Sequence, residues 1–115
     1  MAACGIDLIL NAEVSGTTST HIGSARIITG SNTYASFRGM FGPSSVATAS
    51  IEIKRFTGAT SITTLTASGI GLQDISGSGN ALATFGIVND WYDFYASGSG
   101  VSVSSLIKGI KVTLY

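Results

Sequence analysis

A hydrophobic alternation of period two, broken by Gly- and Ser-rich turns, constrains this chain more than any other feature of its sequence. In "IDLILNAEV" (6–14) one face carries Ile6, Leu8, Leu10, Ala12 and Val14, while Asp7, Asn11 and Glu13 point the other way. Successive strand residues face opposite sides of a sheet, so this spacing predicts a half-buried strand. "HIGSARIIT" (21–29) and "TYASFRGMF" (33–41) read the same way, the second placing Ala35, Phe37 and Phe41 together. "VATASIEIKRF" (46–56) turns Ala47, Ala49, Ile51 and Ile53 inward, with Glu52 and Lys54 outward. "TSITTLTA" (60–67), "ALATFGIV" (81–88), "WYDFYA" (91–96), "VSVSSLI" (101–107) and "IKVTLY" (110–115) complete the series.

The intervening "VSGTTST", "TGSN", "GMFGPSS", "SGIGLQDISGSGN" and "SGSG" have turn composition. Over 44–57, Val46, Ala49, Ile53 and Phe56 would also share one side of a short helix. The β-branched content and the Ile-Glu-Ile-Lys alternation favour a strand there. About eight or nine short antiparallel strands at this spacing predict an all-β fold, a single jelly-roll-like β-sandwich spanning residues 1–115. Neither an internal repeat nor a linker divides the chain, and 115 residues suffice for one core.

Composition narrows the function. Charged residues make up 10% of the chain, against roughly 25% in an average soluble domain. The 17 Ser, 13 Thr and 15 Gly predict a neutral, hydroxyl-rich exterior. With a net charge of +0, little keeps copies of such a chain apart, so burial in an assembly is expected. Six basic residues balance six acidic ones without a basic run, which argues against nucleic-acid binding. No apolar run approaches the ~18 residues of a membrane span. "MAACGIDLIL" lacks the charged region and apolar stretch of a signal peptide or a lipoprotein leader. Cys4 is the one cysteine, so no internal disulfide forms.

The residues needed for catalysis do not assemble into a motif. His21 is the one histidine, no Gly-x-Ser-x-Gly elbow occurs, and His21 reads as a surface or strand-end residue. One Cys and one His fall short of a zinc site. "GSGNAL" (77–82) leads into an alternating strand and lacks the third glycine of a phosphate loop. The six carboxylates show no spacing that points to a glycosidase pair. The chain reads as non-enzymatic, with no cofactor.

The strongest local signal is "NDWYDFYASG" (89–98). In a strand, Trp91, Asp93 and Tyr95 share one face, and Tyr92 and Phe94 share the other. Three readings stay open for the first set. It covers a core strand, or it forms a subunit contact, where Trp and Tyr are over-represented. Alternatively, Trp91 and Tyr95 make an aromatic platform, with Asp93 between them to accept hydrogen bonds from sugar hydroxyls. A calcium site at Asn89, Asp90 and Asp93 lacks the spacing of a calcium loop.

From this strand onward, "DWYDFYASGSGVSVSSLIKGIKVTLY" resembles the C-terminal strand pairs of small β-sandwich proteins of tailed-bacteriophage particles: capsid decoration or cement proteins and tail-fibre tips. It shares with them an aromatic strand, a Gly/Ser turn and a final strand. The resemblance implies a structural virion protein without catalysis, commonly a homotrimer bound to other virion proteins such as the major capsid protein. Assembly in the host cytoplasm suits the lone cysteine. A chain of this length opening on Met is expected to decorate a capsid rather than build a fibre. The alternative is a carbohydrate-binding module or a receptor-binding tip that recognises cell-surface glycan. The two differ in whether Trp91 and Tyr95 stay exposed in the assembled state.

Overall fold

The computed structural model describes residues 4–27, 33–56, 59–77, 79–81 and 90–115. Among them run nine strands: β1 (Cys4–Ser15), β2 (Thr20–Ile27), β3 (Tyr34–Pro43), β4 (Thr48–Arg55), β5 (Ser61–Ser68), β6 (Gln73–Ser76), β7 (Asn80–Ala81), β8 (Asp90–Gly98) and β9 (Ser104–Leu114). Every described strand pair is antiparallel. One sheet has the order β1-β9-β3-β6, with the two-residue β7 also on β3, and the other has the order β2-β8-β4-β5. Leaving β7 aside, the chain changes sheet at every connection except β4 to β5. That winding is the jelly roll, and the all-β sandwich expected from the alternation is the fold observed.

The period-two faces lie where the sequence puts them. Ala35, Phe37 and Phe41 of β3 and Ala49, Ile51 and Ile53 of β4 are buried between the sheets. Tyr92, Phe94 and Ala96 of β8 meet them from the four-stranded side. Phe37 lies at the centre, its ring 6.3 Å from Tyr92 and 6.4 Å from Phe94, tilted and edge-on respectively. Such tilted pairs match the positive edge of one ring to the negative face of the next. Ile107, Ile110, Val112 and Leu114 of β9 close the core.

The boundaries differ in four places. The strand favoured over 46–56 is β4, which covers only Thr48–Arg55 and leaves Val46 and Phe56 exposed at its flanks. β3 runs through Gly42 to Pro43, because proline is tolerated at a strand end where its missing N–H is not needed. "QDIS", which has turn composition, forms the edge strand β6 and packs only Ile75 toward the core. The two strands expected over 101–107 and 110–115 are one strand, β9, kinked at Lys108. That kink shifts the inward positions from 107 to 110, which is why the alternation reads as two pieces. The strand expected over 81–88 lies outside the described residues beyond Ala81.

Candidate binding face

β8 pairs with β4 in unbroken register, Ala49 opposite Gly98 through to Arg55 opposite Tyr92. Its alternation therefore holds, and Trp91, Asp93 and Tyr95 all lie on the outer face of the four-stranded sheet. Trp91 is 48% exposed, while Asp93 and Tyr95 are half-buried by their neighbours.

The irregularity sits next door, on β2. His21 pairs with Tyr95 and Gly23 with Phe94, so Ile22 is an extra residue without a partner opposite. A bulge of one residue reverses the facing of everything after it. His21 and Ser24, three apart and on opposite faces of a regular strand, are thereby both turned outward beside Asp93. The Ser24 hydroxyl donates to Asp93 Oδ1 at 2.6 Å, and His21 Nε2 lies 2.8 Å from Ser24 Oγ. A hydroxyl has one hydrogen, and Ser24 gives it to the carboxylate. His21 Nε2 must then carry a hydrogen and donate it to Ser24. Serine, histidine and aspartate thus stand side by side with the serine in the middle, whereas in a hydrolytic triad the histidine stands between the other two.

Tyr95 is held from two sides. The His21 ring lies 5.3 Å away at 57°, and Lys54 Nζ sits 5.2 Å from the ring centroid. Lys54 is also 3.6 Å from Glu52 Oε1, and Ser61 donates to Glu52 Oε2 at 2.9 Å. Ring, ammonium and carboxylate make a polar cluster in which Tyr95 is one wall. Trp91 has a different companion. Phe56, 66% exposed, donates its backbone N–H to the Trp91 carbonyl at 2.8 Å. These two aromatics, with Ser24 and Asp93, line an open depression of about 390 Å³. Sequence reasoning placed Phe56 at the end of the strand over 46–56 but did not single it out as a site residue. The signal was present, since Glu52, Lys54 and Phe56 alternate onto the outer face of β4.

The structure thus brings Trp91, Asp93 and Tyr95 onto one face but divides them. Trp91 and Asp93 border the depression, and Tyr95 belongs to the cluster beside it. Of the calcium trio, Asn89 lies outside the described residues and Asp90 enters only as the backbone that opens β8. Asp93 spends Oδ1 on Ser24. Among the described residues no three His, Cys, Asp or Glu side chains stand close enough to hold a metal ion.

No protein family and no curated protein matches the sequence. The fold does match known structures. The CBM36-1 domain of a multidomain xylanase from the hindgut metagenome of Trinervitermes trinervoides aligns with a TM-score of 0.68 at 9% identity, over 95% of this chain and 96% of that one. A carbohydrate-binding module CBM36 in complex with calcium and xylotriose aligns at 0.65 and 10% identity, over 96% and 98%. The infectious bursal disease virus VP2 subviral particle aligns at 0.58 and 14% identity, over 97% of this chain but 32% of that one. At these identities the likeness is one of fold: a β-sandwich shared by carbohydrate-binding modules and by one part of a viral particle protein.

Proposed function

We propose that the protein is a non-catalytic recognition module whose outer β2-β8-β4-β5 face binds a saccharide at the depression between Trp91 and Phe56. The observation that carries this reading is the chemistry of that depression: two exposed aromatic walls beside a carboxylate and a hydroxyl. The apolar C–H face of a sugar packs on an aromatic ring, while Asp93 accepts from its hydroxyls. Asp93 is already oriented for this, because Ser24 holds Oδ1 and leaves Oδ2 to the ligand. The modules with the same fold match this chain end to end, which supports the reading without assigning a ligand.

Trp91 is the single tryptophan, so selectively excited tryptophan emission reports on the site alone. Titration with neutral oligosaccharides of three or more residues should give a saturable change in emission. Phe56→Ala and Asp93→Asn should each weaken it about tenfold, the scale of a moderate hot spot. A flat response across xylo-, cello-, manno- and laminari-oligosaccharides at millimolar concentration would sink the proposal.

A second reading is a structural protein of a virus particle, attached to other virion proteins. Two observations favour it: the alignment with part of VP2 and the 10% charge. In that case the protein should co-sediment with particles, and Trp91→Ala should release it while leaving the fold intact.

A further inference from the structure

The outer face of the five-stranded sheet is ordered in rows by the registers of β1, β9 and β3. In the middle row Ile9 pairs with Gly109 and Gly109 with Met40. Ile9 is 80% exposed and Met40 39%, so two apolar side chains flank a gap. They stand two strand spacings apart, about 9.5 Å. The gap cannot be filled by a larger residue, because a Cβ on Gly109 would meet the Leu8 carbonyl oxygen at 2.6 Å. The result is a furrow of about 250 Å³.

In the next row Asp7 pairs with Lys111 and Lys111 with Arg38. On the other side of the gap the β9 kink turns Lys108 outward, near Glu13 and Leu72. Arg38 reaches to β6 and binds Asp74 through both guanidinium and carboxylate pairs, at 2.6 and 2.5 Å. The face therefore holds three acids (Asp7, Glu13, Asp74) and three bases (Arg38, Lys108, Lys111). It is neutral as a whole but sorted by strand. Two of the acids lie on β1, and the bases lie on β9 and β3. A neutral face of this kind offers little to nucleic acid or to a free anion.

We infer that this face binds a second copy of the same chain about a two-fold axis running along β9. That axis lays β1 of one copy over β3 of the other. Asp7 then faces Arg38 of the second copy, and Ile9 faces its Met40. The opposed Gly109 residues leave room for both apolar side chains. Lys111, in register with Asp7 of its own chain, lies near the axis opposite its copy, so each lysine must splay toward the Asp7 side. The sorted charges are the argument for a like partner, since an isologous contact needs each patch to complement itself. This two-fold pair takes the place of the three-fold symmetry that the virion resemblance implies. It also leaves the Trp91 face open. The inference is independent of the saccharide reading, and its test needs no ligand.

Three strands of about eleven residues cover on the order of 500 Å² of sheet, below the ~800 Å² per partner of a standard interface. Association in the micromolar range is therefore expected. Sedimentation across a dilution series should give about twice the 11.7 kDa chain mass at the concentrated end and the single-chain mass at the dilute end. Ile9→Asp should lower the association constant at least tenfold without changing the melting temperature, because the side chain it replaces is solvent-exposed. Asp7→Arg should do the same, and adding Met40→Lys to Ile9→Asp should recover most of the loss, because these two positions face each other across the axis. A mass of one chain throughout would overturn the inference. So would a dimer or trimer that Trp91→Ala dissociates and Ile9→Asp does not.

Discussion

Ser24 and Asp93 face each other across β2 and β8, hydroxyl to carboxylate at 2.6 Å, because Ile22 is displaced from the ladder between His21 and Gly23. The bulge makes the contact, and the contact holds the Asp93 carboxylate in one orientation on the outer face. Ser24→Ala should leave the fold within about 1 kcal/mol of wild type, the worth of one hydrogen bond on an open face. It should still weaken saccharide binding several-fold by freeing Asp93 to rotate. Calorimetric titration beside a thermal melt separates the two effects.

With the Ser24 hydroxyl given to Asp93, His21 donates to Ser24 rather than accepting its proton. His21→Ala should therefore leave any hydrolytic turnover found in a preparation unchanged. Loss of a robust turnover on that substitution would show that the serine–histidine order reverses during reaction, and would make the protein an enzyme.

Phe94 and Trp91 lie on opposite sides of one strand and should fail differently. Phe94 is fully buried against Phe37, and truncation of a core aromatic to alanine costs about 3–5 kcal/mol. Small domains are stable by about 5–15 kcal/mol, so Phe94→Ala should melt far below wild type or fail to express. Trp91→Ala should keep the melting temperature and lose the binding face. If Trp91→Ala collapses the fold while Phe94→Ala tolerates heat, the facing of β8 is reversed.

The sandwich was legible because both faces of most strands carry different residue types. Trp91 and Tyr92, or Lys54 and Ile53, are told apart by parity alone, and no tertiary information is needed. What parity cannot show is a place where it changes. "HIGSAR" gives no sign that Ile22 steps out of line, so the approach of His21 and Ser24 to Asp93 was hidden. "LIKGIK" did carry a sign, a glycine between two apolar positions of different parity, but it reads equally well as a turn between two strands. Phe56 was missed for a different reason. One apolar residue just past a strand fits a helix face, a staple or a pocket wall, and only the position of Trp91 across the ladder decides.

Glycine at position 109 is a geometric requirement. Its added Cβ would meet a backbone oxygen, which has no rotamer with which to retreat. Gly109→Ala should cost about 1–3 kcal/mol, the usual penalty for overpacking. The neighbouring Ser105 should respond in the opposite sense. Its hydroxyl is buried with no hydrogen-bond partner among the described residues. Ser105→Ala should be neutral, or raise stability by about 1 kcal/mol, because a buried unsatisfied group is removed. Chemical denaturation of both variants against wild type checks the pair.

The Arg38–Asp74 pair sets an acid-side dependence. Hydrogen bonding from the Arg38 guanidinium holds the Asp74 carboxyl below the usual aspartate range, against a smaller opposing effect of desolvation. A carboxyl depressed in the folded state stabilises the fold above the ordinary value of about 4, and that contribution is lost as pH falls through the lowered one. Asp74→Asn should therefore melt below wild type at pH 7, with the gap closing as pH falls below the ordinary aspartate range. Both side chains are largely open to solvent, so 1 M salt should also narrow the gap.

Strand β9 is hydrogen-bonded on one side to β1 and on the other to β3, with Cys4 opposite Leu114. The segment nearest the C-terminus is therefore the keystone of its sheet. During synthesis, β1 and β3 leave the ribosome with an open slot between them, and their ladder waits until β9 has been made. The loop that must close to join β1 to β9 runs at its shortest from Ser15 to Ser104, and closing so long a loop is slow by its entropy alone. A nascent chain stalled before residue 104 would expose two strand edges flanking that slot. Such edges invite the last strand of any neighbour, so the same topology that buries β9 in the finished molecule makes strand exchange between copies the foreseeable accident of its folding.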